Sequence, residues 1–495
     1  MTALGARIVL TILNREGHEV DFCDYPNQSK KPQRLPLPSY LSFLAPHLLP
    51  GELGTTSYFA HFQHLGPSWD ECAFDLHNRS PDLVLLSCFA FAYADDAIEL
   101  VRSFRRLDSV TPVAIGGAGA SVYPDYFFVE ELIQFVLAGE AEVSLAPFIR
   151  EIGSRDPDFT MVPNLTWREG NTIRNNPSVL GDSEKIEPAL ATIRSKKSKM
   201  WMSASLTRGC DRTCRFCSIH LCHGRGMRKS RIIRIEEILA SWQIEIKELH
   251  INFEDDGLFS DMAYAESVIE LLLRRFEKLS FTAENGMEPH QLSEKRIRKL
   301  WQLGARGLNL SLGSADFTLL QSEKRRPANS ILAEATQIAS ELGLPTTSYF
   351  ICGLQHESPS SVAANLGFLY SLPTRIAISL FYPVPGLPGF ENSSLFKYGA
   401  SHLCAGSSAF PWTDSLSTRQ LITAFRLSRF LNLLKHSENG SPGSAIYKNI
   451  ISSTLRKKRL HTIVQVSGTK QLVEIPECDI DMVEEVLDST RLAKA

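Results

Sequence analysis

The chain has 495 residues, with 52 Lys+Arg against 55 Asp+Glu and a formal charge of −3. That length predicts several domains with room for proper cores, and the near-neutral balance excludes a broad polyanion binder. Charged residues at 22% and hydrophobic ones at 43% exclude collagen-like and disordered classes, and with no apolar run of about 18 residues and no signal peptide the chain reads as cytoplasmic, without a membrane partner.

In chain order, residues 3–16 pattern as an amphipathic helix and EVDFCD as a short strand. Residues 25–67 are rich in Pro and His and long for a connection, so they are expected to form an insertion or a lid. PDLVLLSCF is apolar in the manner of a buried parallel strand. A helix over 94–106, a strand in TPVAIGG, a helix near 125–133, the strand QFVLAGE and a helix from 141 follow. This rhythm predicts a Rossmann-like parallel sheet over 1–155 whose first strand is not seen, because the sequence opens at the helix: either the true start lies upstream or the domain lacks a central strand. Residues 156–200 are polar and turn-broken, which predicts a linker with a small hairpin.

From 201 to 395 a more regular alternation begins. The strand runs SASLTRG, LHINFED, LSFTAEN, GLNLSLG, TSYFICG and AISLFY are separated by helical runs. The overall class is therefore α/β, with a partial (βα)6 barrel whose chemistry belongs on loops at the C-terminal strand ends. Residues 396–495 read as a small, mainly helical C-terminal region, with one amphipathic helix (RQLITAFRLSRFLNLLKH) and a strand pair near 461–475. RKKR in that region is one short basic run followed by an acidic stretch, so it reads as a solvated helix end, and nucleic acid is not an expected partner.

Ten cysteines are present, six of them scattered. Cys210, Cys214 and Cys217 stand in C-x3-C-x2-C spacing directly after the first barrel strand, with Cys222 close behind. Three thiolates can hold three irons of a 4Fe-4S cube and leave the fourth iron open to a chelating ligand, whereas electron-transfer clusters usually fill all four. Zinc completed by His220, Cys222 or His223 is the first alternative, and a disulfide or inert loop the second. Over 207–234 there are eight Lys/Arg against one Asp, either a solvated face or the rim of an anionic cofactor's site.

LTRGCDRTCRFCS resembles the signature of the radical S-adenosylmethionine (radical SAM) superfamily, and the resemblance runs over about 200–390. It implies that the amino and carboxylate groups of S-adenosylmethionine chelate the open iron. An electron from the reduced cluster would then cleave the sulfonium to a 5′-deoxyadenosyl radical. It also implies an electron donor such as flavodoxin or ferredoxin, and a small-molecule or peptide substrate. By the same resemblance the backbone of Phe216 reaches the adenine, and Glu254, Asp255 and Asp256 meet the ammonium or line the substrate side. Ser311 and Ser314 lie in the fourth-strand segment near the ribose, where Gly313 replaces an acid common in relatives. Gly353 belongs to the fifth-strand motif beside the adenine, and FYPVPGLPGF resembles the Pro/Gly loop after the sixth strand.

PDLVLLSCFAF, VAIGGAGASVYPDYF and FVLAGEAE resemble the cobalamin-binding domain that precedes the barrel in one branch of that superfamily. Gly116, Gly117 and Gly119 at strand ends would let backbone approach a flat macrocycle, and Ser87 would offer a hydroxyl beside it. The D-x-H-x-x-G loop that supplies an axial histidine in other cobalamin proteins is absent; Asp75-Leu76-His77 comes near it, with Ser80 in the glycine position. The function this implies is a cobalamin-dependent C-methyltransferase. The alternatives are a radical SAM enzyme with a degenerate first domain performing cyclisation, rearrangement or sulfur insertion, and a zinc-stabilised protein without catalysis.

Overall fold

The computed structural model describes residues 4–28, 31–48, 56–58, 61–183, 185–242, 246–437, 448–456, 459–465, 472–476 and 478–492. Its contacts gather the chain into two compact units. One comprises Met1–Leu35, Gln63–Leu279 and Pro383–Cys404, the other Pro36–Phe62, Ser280–Tyr382 and Ala405–Ala495.

The first unit contains a five-stranded sheet in chain order: Val84–Ser87, Val113–Gly116, Phe135–Leu137, Leu165–Glu169 and Thr172–Asn175. The first three strands are parallel, and the last two form an antiparallel hairpin added to that edge. Short apolar strands of this kind bury both faces under helices. Ala114, Phe135, Phe148, Val162, Leu165 and Trp167 form one core cluster; Ile8, Ile12 and Leu13 of the helix Leu4–Arg15 join Leu145 and Ala189 in another. The residues expected as a linker are thus largely structured. Their hairpin extends this sheet, and Ala189–Lys196 pairs antiparallel with Lys199–Ser205 to open the next one.

Three local expectations are corrected. Glu19–Asp24 is not a strand: extended backbone becomes one only beside a partner, and the edge strand Val84–Ser87 pairs solely with Val113–Gly116 among the described residues. The helix expected near 125–133 lies earlier, as Ala118–Val122 followed by the 3-10 turn Pro124–Phe128. A helix at Trp69–Asn78, absent from the sequence reading, begins with Ser68 and Glu71 capping each other reciprocally. Within the expected insertion, the described residues form 3-10 turns at Tyr25–Asn27 and Ser39–Leu44.

The first unit also holds Lys199–Ser205 and, parallel to it, Glu248–Phe253. Helices Ile232–Ala240 and Met262–Arg275 accompany them; the expected continuation of the former over 243–245 lies outside the described residues. In the second unit, Leu308–Gly313, Thr346–Cys352 and Arg375–Leu380 run parallel in that order, each linked to the next by one of the helices Asn329–Glu341 and Pro359–Ser371. These strands and helices fall where the strand–helix alternation predicts. The helix Thr418–Ser437 packs in this unit, and Asn432 takes the place of a further strand by accepting from Ile376 N–H (2.8 Å) and donating to Ile376 C=O (2.7 Å). The expected strand pair exists as Arg459–Gln465 with Leu472–Pro476, and Lys448–Arg456 adds a third antiparallel strand before the helix Ile480–Leu492. The middle of the RKKR run, 457–458, lies outside the described residues.

Candidate functional site

The strand Lys199–Ser205 leads into Thr207–Arg208, which pairs antiparallel with Arg228–Lys229, Thr207 opposite Lys229 and Arg208 opposite Arg228. This ribbon is the neck of a loop that carries all three motif cysteines. Just above it, Cys210 bridges Arg225, and Gly226 N–H donates to Cys210 C=O (3.4 Å). Gly209 has φ +80°, and a Cβ there would stand 2.4 Å from the Gly226 carbonyl oxygen, so only glycine closes the neck. Within the loop Cys217 N–H donates to Cys214 C=O (3.3 Å), with Phe216 half-buried between the two cysteines.

None of the three cysteines forms a disulfide; Cys214 is buried, and Cys210 and Cys217 are partly exposed. Burial raises the Cys217 thiol to about 11, with further increments from the neighbouring Cys214 and Cys210 sulfurs. Three neighbouring thiols on one closed loop are a donor set that fits a cube binding each thiolate on a different iron. Two of the extra ligands of the zinc alternative are turned elsewhere. The His223 ring faces Glu140 (3.3 Å) and the Cys222 thiol points to Ala118 C=O (3.7 Å). Among the described residues no three His, Cys, Asp or Glu stand together around a single-ion position.

The acidic run after Glu248–Phe253 divides its labour. Asp255 Oδ1 accepts from Leu206 N–H (2.6 Å), Thr207 N–H (2.6 Å) and the Thr207 hydroxyl (2.8 Å). Asp256 accepts from Gly209 N–H (2.9 Å). Both carboxylates therefore grip the backbone entering the cysteine loop. Burial lifts Asp255 to about 6 against the pull of its donors. Glu254 is turned instead to the Ser203 hydroxyl and Asn252.

The C-terminal ends of the parallel strands in the first sheet carry Ser87, Gly116, Gly117 and Gly119. Ser87 is exposed, and beyond it Phe89 (49% exposed) and Tyr93 (42%) place their rings 5.0 Å apart. The glycines answer chiefly to the chain itself. At Gly117, with φ +101°, a Cβ would meet Cys88 C=O at 2.6 Å; at Gly119 it would lie 2.4 Å from the Ala90 carbonyl carbon. Only Gly116 has ordinary space, 3.4 Å from the Leu137 carbonyl oxygen. Ser87 and the two rings stand open at that edge, while Gly117 and Gly119 are accounted for by backbone packing.

Glu140, three residues past the strand Phe135–Leu137, was not singled out in the sequence. It is 3% exposed and accepts from Arg228 through both oxygens (2.8 and 2.5 Å), from Gly181 N–H (2.8 Å) and faces His223. Burial works to raise this carboxyl, but the His223, Arg228 and Gly181 hydrogen bonds outweigh it and hold Glu140 at about 2. Two residues on, Glu142 forms a buried ion pair with Arg208 (3.6 Å). The basic run is therefore largely paired: Lys229 with Asp261 (2.6 Å) and Arg234 with Glu187 and Glu237 as well.

In the second unit, Ser311 lends its carbonyl to Arg325, which lies across Gly313 and forms a buried ion pair with Glu288 (3.1 Å). Gly313 has φ +82°, a backbone conformation that favours glycine, and a Cβ there would stand 2.8 Å from the Arg325 side chain. Ser314 is fully buried and bonded to Asn365 (3.1 Å) and Asp316 N–H (3.1 Å). Gly353 donates to Glu357 (2.5 Å) and accepts from the Thr413 hydroxyl (2.9 Å).

A parallel strand-helix alternation with a three-cysteine loop at its first strand end, preceded by an open sheet, defines the class. Residues 204–369 match the family described as the Radical SAM superfamily. That match gives residues 204–369 as a radical SAM domain, and the chain resembles the branch of that superfamily with an N-terminal cobalamin-binding domain. It is 23% identical over 317 residues to an uncharacterised methyltransferase of Pyrococcus horikoshii, covering 62% of this chain and 68% of that one. It is 25% identical over 330 residues to the hopanoid C-3 methylase of Methylococcus capsulatus, covering 65% of this chain but only 62% of that relative. The fold matches that of the radical S-adenosylmethionine methyltransferase TsrM from Kitasatospora setae (TM-score 0.55, 18% identity, 80% of this chain and 72% of that one). No helix among the described residues is long and apolar enough to cross a membrane.

Proposed function

We propose that the chain is a cobalamin-dependent radical SAM methyltransferase that modifies a carbon of a small molecule or peptide. In this reading residues 1–155 are the cobalamin domain, 156–200 the connection, 201–395 the radical SAM barrel and 396–495 a C-terminal region. Cys210, Cys214 and Cys217 hold the 4Fe-4S cluster. When bound, the cluster and S-adenosylmethionine supply a 5′-deoxyadenosyl radical, and methylcobalamin supplies the methyl group. Phe216 presents backbone to the adenine, Ser311, Ser314 and Gly353 belong to the nucleoside side, and Glu254 meets the ammonium. Asp255 and Asp256 serve that site by fixing the turn into the cysteine loop. Ser87, Gly116, Gly117 and Gly119 border the macrocycle. A reductant of the flavodoxin or ferredoxin kind delivers the electron, and the protein works in the cytoplasm.

The observation that carries the reading is the closed three-cysteine loop, whose helix Ile219–His223 packs by Cys222 on the glycine edge of the first sheet at Ala118. Ligands of open α/β sheets bind at such an edge. The similar proteins support it: two are methyl-transferring proteins, and the structure of TsrM has cobalamin and a [4Fe-4S] cluster bound. A second reading, a cofactor-free first domain serving cyclisation, rearrangement or sulfur insertion, is favoured by Gly117 and Gly119 being accounted for by chain packing. Anaerobic reconstitution with iron, sulfide and hydroxocobalamin, followed by assay of 5′-deoxyadenosine, tests both. Formation is expected to vanish in Cys210→Ala, Cys214→Ala or Cys217→Ala and to persist in Cys222→Ala. Turnover surviving in a motif variant, or one equivalent of zinc without labile sulfide, overturns the enzymatic reading; 5′-deoxyadenosine without retained cobalamin selects the second.

A further inference from the structure

Two arginines and two glutamates meet where the first sheet faces the neck of the cysteine loop. Arg208 and Arg228 are directly opposite one another in the two-stranded ribbon that closes the loop. Glu140 and Glu142 open the helix Ala141–Ile152, directly after the third parallel strand of the first sheet. Each glutamate takes one arginine: Glu140 holds Arg228 through both oxygens, and Glu142 pairs with Arg208. Arg228 in turn donates to His223 C=O (2.6 Å) and to Gly181 C=O, so the same guanidinium ties the returning limb of the loop to the hairpin connection. All four side chains are largely withdrawn from water. A buried bidentate carboxylate–guanidinium pair is directional, and losing one partner leaves the other charge uncompensated.

We infer that Glu140 is a positioning residue for the cluster: acting through Arg228, it fixes the neck from which Cys210, Cys214 and Cys217 project. The first sheet thereby shapes the metal site as well as offering a cofactor surface. The inference rests on the radical SAM reading only in naming the metal group. Groups that orient ligands are worth about 10–100-fold in metal affinity when removed.

The test uses full-length protein reconstituted anaerobically with iron and sulfide. Glu140→Gln, which leaves the Arg228 charge uncompensated, is expected to melt as an apo-protein below wild type but still cooperatively. It should surrender iron to a chelator about tenfold faster and show an altered electron paramagnetic resonance signal when reduced with S-adenosylmethionine. Glu140→Asp should recover part of both. Iron release and spectrum equal to wild type in Glu140→Gln overturn the inference. Should Glu140→Gln fail to fold, Arg228→Lys, which keeps the charge but not the two-pronged bond, takes its place with the same expected result, and wild-type release there overturns it. A wild-type protein that holds iron and sulfide yet shows no response to S-adenosylmethionine refutes the proposed chemistry instead, and the chelator comparison still decides the role of Glu140.

Discussion

At Glu357 a carboxyl group is buried with one oxygen on Gly353 N–H and the other without a partner among the described residues. Burial pushes it from 4.5 to about 8. Between those values the folded chain keeps a proton that the unfolded chain has released, so this group's contribution to stability falls as pH rises through the window. The effect is on the order of a few kcal/mol. Glu357→Gln, which can still accept from Gly353, is expected to melt with less pH dependence than wild type between about pH 5 and about pH 8; parallel melting curves would refute this. Single residues also mark the limit of the sequence. The Cys210–Cys214–Cys217 spacing is a local pattern and was legible. Glu140 and Arg228 meet across 88 residues, and no periodicity announces such a pair.

Among the elements, the glycine edge of the first sheet separates two demands on one motif. Gly119→Ala forces a methyl into the Ala90 backbone, and destabilisation of about 3 kcal/mol or more is expected. Gly116→Ala meets only ordinary contact distance and should melt near wild type. If Gly116 is where a macrocycle approaches, that variant should lose cobalamin retention while keeping its fold. Equal melting of both variants would show that the packing at Gly119 yields easily. Strand and helix alternation was readable because apolar runs and turn residues are local. Boundaries near 118–133 were not, because Tyr123 and Pro124 break a helix that began right after Gly117. The helix Trp69–Asn78 carried its own signal, the Ser68–Glu71 capping box, although its apolar pattern is weak.

For the whole molecule, chain order and compact unit disagree. Tyr58 donates to Ser407 C=O (2.8 Å), and Asp95 accepts from Ser401 N–H (2.7 Å), so residues far apart in sequence share a unit. Such contacts are tertiary and leave no trace in composition. Removal of iron is the test at this scale. The neck of the cysteine loop is closed by a backbone ladder, Asp255, Asp256 and Glu140, all of them protein contacts. Metal-stripped protein is therefore expected to unfold in a cooperative transition, unlike small zinc domains that need their ion to fold; a broad, non-cooperative melt would refute this.

A neck closed by protein contacts bears on how the protein matures. A receptacle that takes shape during folding can receive a finished iron–sulfur unit late, from a carrier, and can be refilled after oxidative damage without the polypeptide being remade.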